Sequence, residues 1–327
     1  MPSDPDPSYH GKAAPGQLFN AAAWGAAQAG LAEALARASL ALGRLDGMLA
    51  ALPAEARAGA VTRLALIELE AMLWAQGTPL QREEIGRDLM EARAGADLEA
   101  MRLARWGLRR LEGQGNPADL RGFLGLHRAE VSGLDEMLAT RPTGGSFDAA
   151  AAEFHDMAAG LAAVAPLARG PALRMAWRIC GLSAPEVLAE PAVWTARDMA
   201  AGCEALRFVP FGRHGRGVWV DGGPVPERMG RHLAAVTAGL VEARQELVRV
   251  ADWQARALAA VARIKGENPA RVVAALAAHP ILSASMLEGL AGISRDTAER
   301  LLVRLRDMGL AREITGARRF RLWVLAG

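Results

Sequence analysis

Cysteine is nearly absent from this chain: Cys180 and Cys203 are the only two in 327 residues. They lie far apart in apolar, helix-like surroundings. With no C-x-x-C and no Cys/His grouping at metal spacing, a disulfide framework and a structural zinc site are both excluded. Two buried free thiols in a reducing cytoplasm are expected. Aromatic side chains are also scarce, with one Tyr, seven Phe and eight Trp. Leu, Val, Met and Ala must therefore fill the core, a mix that favours helices over strands. Lysine occurs only as Lys12 and Lys265, so nearly all the positive charge is Arg, the side chain suited to bidentate phosphate and guanine contacts. No run of about 18 apolar residues lacks a charge, so no membrane span is expected. Residues 1–16, rich in Pro, Ser and Asp, lack the basic-then-apolar pattern of a signal peptide and read as a disordered tail. P-loop and dinucleotide fingerprints are missing as well.

What is present is apolar and helical. Hydrophobic residues make up 51% of the chain, and the net charge of +2 points to no class of partner. Residues 17–141 read as a helical N-terminal domain. Its segment 54–76 puts Val61, Ala65, Leu66, Leu69, Met72 and Leu73 on one broad face, with Arg63 and Glu70 opposite and Glu68 at the edge. Helices are expected over 80–93, 96–112 and 118–140. Arg141-Pro-Thr-Gly-Gly-Ser146 is the best linker in the first half. Residues 147–265 form a second helical region. Its one break is 207–220, where apolar residues flank Gly212-Arg-His-Gly-Arg-Gly217 and predict a β-hairpin with a solvated basic turn.

The segment 227–265 reads as one long connecting helix. Met229, Leu233, Val236, Leu240, Ala243, Leu247, Val250, Gln254, Ala257, Val261 and Ile264 alternate by four and three without a slip. Such a seam serves either a parallel homodimer or packing inside the chain's own bundle, and the second is favoured.

Residues 270–327 carry the firmest pattern. A short helix over 271–278 is closed by His279-Pro280. Ser285 with Glu288 fits a capping box for a second helix. Gly292 sits where a tight turn needs positive φ, Ile293 plugs that turn, and Ser294 caps a third helix. There Ala298, Leu301, Leu302 and Leu305 fall in one arc, away from Asp296, Thr297, Glu299, Arg300 and Arg304. Two strands over 311–315 and 320–324 follow, with Ile314, Phe320, Leu322 and Val324 alternating against Arg312, Arg319, Arg321 and Trp323. This last segment holds nine Arg against five acids, about +4 within a chain of +2.

The run 287–310, followed by a Gly-Arg turn, resembles the winged helix-turn-helix of bacterial regulators and the C-terminal domain of many Fic-family proteins. Leu45-Asp-Gly-Met-Leu49, residues 66–85 and residues 96–111 are similar to an uncharacterised bacterial family that pairs a helical domain of unknown function with such a C-terminal domain. These likenesses imply a mainly α protein with a multi-helix N-terminal bundle, a long connecting helix, and a C-terminal winged helix-turn-helix with a small β-hairpin. They also imply a cytoplasmic DNA-binding regulator of transcription whose third helix enters the major groove. Arg295, Asp296, Thr297, Glu299, Arg300 and Arg304 on that helix, and Arg318, Arg319 and Arg321 on the wing, are the candidate contacts to double-stranded DNA. The alternative is a catalytically inactive, Fic-like scaffold or interaction protein. The Fic motif His-Pro-Phe-x-x-Gly-Asn-Gly-Arg is absent. Phe154-His155-Asp156-Met157 shares two residue types with it, and the stretch 211–217 has glycines and cations in another order. No enzyme activity, cofactor or metal is expected, and His127, His155, His214, His232 and His279 are scattered singly.

Overall fold

The computed structural model describes residues 19–90, 97–126, 140–219, 222–316 and 321–326. The fold is mainly α with one small antiparallel sheet. Helices α1 (Ala21–Ala29), α2 (Ala32–Ala50), α3 (Ala54–Gln76), α4 (Arg82–Leu89), α5 (Leu98–Leu111) and α6 (Leu120–Leu124) come first. Then follow α7 (Gly144–Gly160), α8 (Pro166–Ile179), α9 (Ala189–Met199) and the short α10 (Arg216–Trp219). The long α11 (Val225–Val261) leads into α12 (Asn268–Ala278), β1 (Leu282–Ser283), α13 (Ala284–Ala291), α14 (Arg295–Asp307), β2 (Ala311–Glu313) and β3 (Leu322–Leu325). Most of the helix expected over 118–140 lies outside the described residues beyond α6. No described helix is long and apolar enough to cross a membrane.

One apolar core runs from Trp24 to Leu247 and is shared by both helical regions. The stretch after Arg141 is no open linker: α7 begins at Gly144, and the Arg141 guanidinium donates to Glu190 Oε1 at 2.9 Å. Phe154, Trp177 and Trp194 pack edge-on at the centre of the middle region, which is filled rather than hollow. His232 is a satisfied core histidine. It is fully buried, contacts the Leu167 carbonyl at 2.9 Å, and is held neutral because burial pushes its pKa well below 6.5. Cys180 and Cys203 are both free thiols, the second only partly buried.

Most of the heptad seam of α11 is buried within the chain itself, with Val250, Gln254 and Ile264 half-buried. Met229, Leu233, Val236, Leu240, Ala243 and Leu247 belong to the large core, while Ala257 and Val261 belong to the core of the C-terminal unit. The unbroken stripe thus lets one rigid helix serve two cores in succession.

Residues 207–220 do not form a hairpin. Gly212–Gly215 is a 3-10 turn that runs directly into α10. Phe208, Val209, Pro210 and Phe211 are all buried, so the segment has no solvent face for a period of two to act on. Within its turn Gly212 and Gly215 are buried, while Arg213, Arg216 and Gly217 are exposed to solvent.

The C-terminal unit follows the order helix, strand, helix, turn, helix, hairpin. Its sheet has the order β1-β3-β2, with Leu282 opposite Trp323 and Arg312 opposite Val324. This order matches the one expected for a winged helix, with β1 as a third strand beyond the expected hairpin. Gly292 takes φ +62° in the turn. The cap of α13 is Ser283, not Ser285: its hydroxyl accepts from Met286 N at 3.2 Å. Ser294 caps α14, accepting from Thr297 N at 3.3 Å. Ser294→Ala is expected to lower stability by about 1 kcal/mol, read from the urea midpoint. Trp323 does not face solvent with the arginines but is fully buried. Helices cover one face of β3, while Ile281, Leu322 and Val324 pack with Met90 on the other.

Candidate functional site

The winged unit has one docked side and one open side. On the docked side its backbone meets α3 closely: a Cβ added at Gly59 would lie 1.4 Å from the Ala278 carbonyl oxygen. Arg63 donates to the Ala277 carbonyl at 3.4 Å, His279 contacts Glu55 at 3.2 Å, and Arg312 pairs with Glu83 at 3.0 Å. Burial would raise the Glu83 carboxyl, but the Arg312 hydrogen bond holds it below the ordinary value.

The open side is α14. Arg295, Asp296, Arg300 and Arg304 are exposed there, and Thr297 and Glu299 are half-buried. Arg300 pairs with Asp296 at 3.2 Å, one turn away, with both side chains in water. Arg295 and Arg304 have no carboxylate at ion-pair distance among the described residues. Asp296 therefore offsets one arginine and leaves two. On the wing, Glu313 Oε1 accepts from Thr315 N at 2.7 Å and Gly316 N at 3.0 Å, fixing the turn. Arg318 and Arg319 lie outside the described residues, and Arg321 is half-buried beside β3. The structure thus gathers six of the nine candidate residues on one helix.

Sequence reading missed a second feature. A cleft of about 1260 Å³ lies between α3, α4, the 212–216 turn, α11 and the docked edge of the winged unit. Its floor holds two α3 side chains expected outside the core or at its edge. Glu68 is fully buried, and its Oε2 accepts from Phe211 N at 2.8 Å and Gly212 N at 2.6 Å. Burial outweighs those two bonds and pushes the carboxyl up to about 8, so it is mostly protonated at neutral pH. Its Oε1 has no partner among the described residues. Arg63, only 9% exposed, is the other. Thus the Phe211 and Gly212 amides are aimed at a carboxyl of the chain itself. The described residues contain no His/Cys/Asp/Glu group able to hold a metal ion.

No family model matches the chain, and no curated protein matches it. Among solved structures it is similar to a Fic family protein from Desulfovibrio desulfuricans G20. The TM-score is 0.48 at 15% identity, covering 91% of this chain and 96% of that one. A Fic-family structural neighbour therefore spans most of the chain, at a level of similarity that assigns neither family nor activity.

Proposed function

We propose that the protein is a DNA-binding regulator, with no catalytic step of its own, that reads duplex DNA through α14. The observation carrying this reading is the orientation of the winged unit. Its sheet edge and α12 are committed to the bundle, while the helix that a winged helix offers to a major groove stands free with Arg295, Arg300 and Arg304 outward. Phosphate contacts from these side chains would position the helix, and Thr297 and Glu299 lie near enough to its N-terminal end to meet base edges. The use of Arg318, Arg319 and Arg321 on the minor groove or backbone belongs to the same proposal.

A non-catalytic interaction protein is the second reading. The Asp296–Arg300 pair and Glu299 favour it, because a face of alternating charge suits a protein surface as well as a phosphate backbone.

The test is a binding titration on duplex DNA from upstream of the protein's own gene. Arg304→Ala is expected to weaken binding about tenfold, and Arg300→Ala somewhat less because Asp296 is then released. Arg37→Ala, at an exposed position of α2, should leave affinity unchanged. Equal affinity in Arg304→Ala and the unmodified protein would remove α14 as the reading helix.

A further inference from the structure

Arg63 is a nearly buried guanidinium that lines the cleft. A guanidinium carries five N–H donors. This one is nine-tenths buried, and among the described residues its only hydrogen bond is to the Ala277 carbonyl, at 3.4 Å. Burying an arginine away from water without a partner anion is costly. The acids of the cleft are engaged elsewhere. Glu246 pairs with Arg249, Glu242 with Arg213 at 3.3 Å, and Glu83 with Arg312 at 3.0 Å. Glu70 accepts from the Arg82 amide at 3.4 Å, and Glu68 serves the two amides already described. Asp252, on α11, lines the cleft as well and makes no ion pair among the described residues.

A second cation adds to the imbalance. Arg82 lines the same cleft and has no carboxylate at ion-pair distance among the described residues. Burial, and then the Arg82 charge against the pull of Glu246, bring the Arg63 guanidinium down to about 10, still charged at neutral pH. Two guanidinium groups of one sign facing one open cavity leave a place for an anion between them. Trp74, 58% exposed on the rim, offers a flat apolar surface beside that place.

We propose that this cleft binds a small organic oxyanion, a carboxylate or phosphate on an apolar body, with the charged group held by Arg63 and Arg82 and the body against Trp74. Pro280, Ile281 and Arg312 of the winged unit line the same cavity, so the bound anion also fastens that unit to the bundle. The proposal does not depend on the DNA reading.

Calorimetric titration of the full chain with benzoate, phenyl phosphate and neutral benzyl alcohol tests it. Benzoate and phenyl phosphate share the flat body and separate the two anion sources. Saturable binding of at least one of them below about 10 mM is expected, with a rise in Tm and none from benzyl alcohol. Arg63→Met, of similar length and uncharged, is expected to weaken binding at least tenfold without lowering the Tm of the free protein. Arg82→Ala, on the surface, supplies a second variant and should weaken binding severalfold. Failure of both anions to bind saturably, or equal binding by Arg63→Met and Arg82→Ala, overturns the proposal.

Discussion

Glu68→Ala is expected to lose about 2–4 kcal/mol of stability. Two terms add. The backbone amides of Phe211 and Gly212 lose their acceptor in a buried place, and a side chain with no solvent exposure leaves a void. Glu68→Gln keeps an acceptor oxygen and the volume, so it should cost no more than about 1 kcal/mol at pH 7.

The two variants also separate a pH effect. The Glu68 carboxyl titrates near 8 in the folded chain against an ordinary 4.5, so over that interval the folded state holds a proton that the unfolded state has released. Stability must then fall as pH rises from about 4.5 and level off above about 8. Between pH 7 and 8 the fall should be about 1 kcal/mol. That window is chosen because His232 acts mainly below 6.5, where the unfolded state takes up its proton, and the Cys180 and Cys203 thiols, pushed up to about 11 by burial, act above it. Urea midpoints at pH 7.0, 7.5 and 8.0 should fall in the unmodified protein and stay level in Glu68→Gln. Equal slopes would show that this carboxyl is ionised in the fold.

Gly59→Val is expected to undock the winged unit. With a Cβ position 1.4 Å from the Ala278 oxygen, no rotamer relieves the contact, because both partners are backbone-fixed atoms. The end of α12 must move off α3, taking the Arg63, His279 and Arg312 contacts with it. The unit keeps its own core, in which Val272, Leu276, Leu302 and Trp323 are buried with Trp253 and Ala257 of α11. Separation rather than collapse is therefore the outcome. Calorimetry should resolve the melting of Gly59→Val into two transitions, and proteolysis should reach the 262–267 connection. A single transition at the original Tm would mean that the docking is not rigid.

The C-terminal fold was legible because its signals are local. Gly292, Ser294 and the apolar arc of α14 each act within a few residues, and all three stand where sequence put them. β1 escaped notice because two residues cannot show a period. Losing that strand misplaced the α13 cap from Ser283 to Ser285. Residues 207–220 carry the local marks of a hairpin, yet the group that decides their conformation is Glu68, 143 residues away. The cleft was invisible for the same reason. Arg63, Arg82 and Arg312 come from three separate elements, and helical phasing alone placed Arg63 outside, since nothing in the sequence announces that α12 ends against α3.

The salt dependence of duplex DNA affinity tests the central claim most directly. If α14 and the wing engage phosphates through their arginines, log K should fall linearly with log salt, with a slope of roughly −3 to −5. Absence of binding at low salt, or a slope near zero, would contradict the reading of this winged helix as a DNA-binding one.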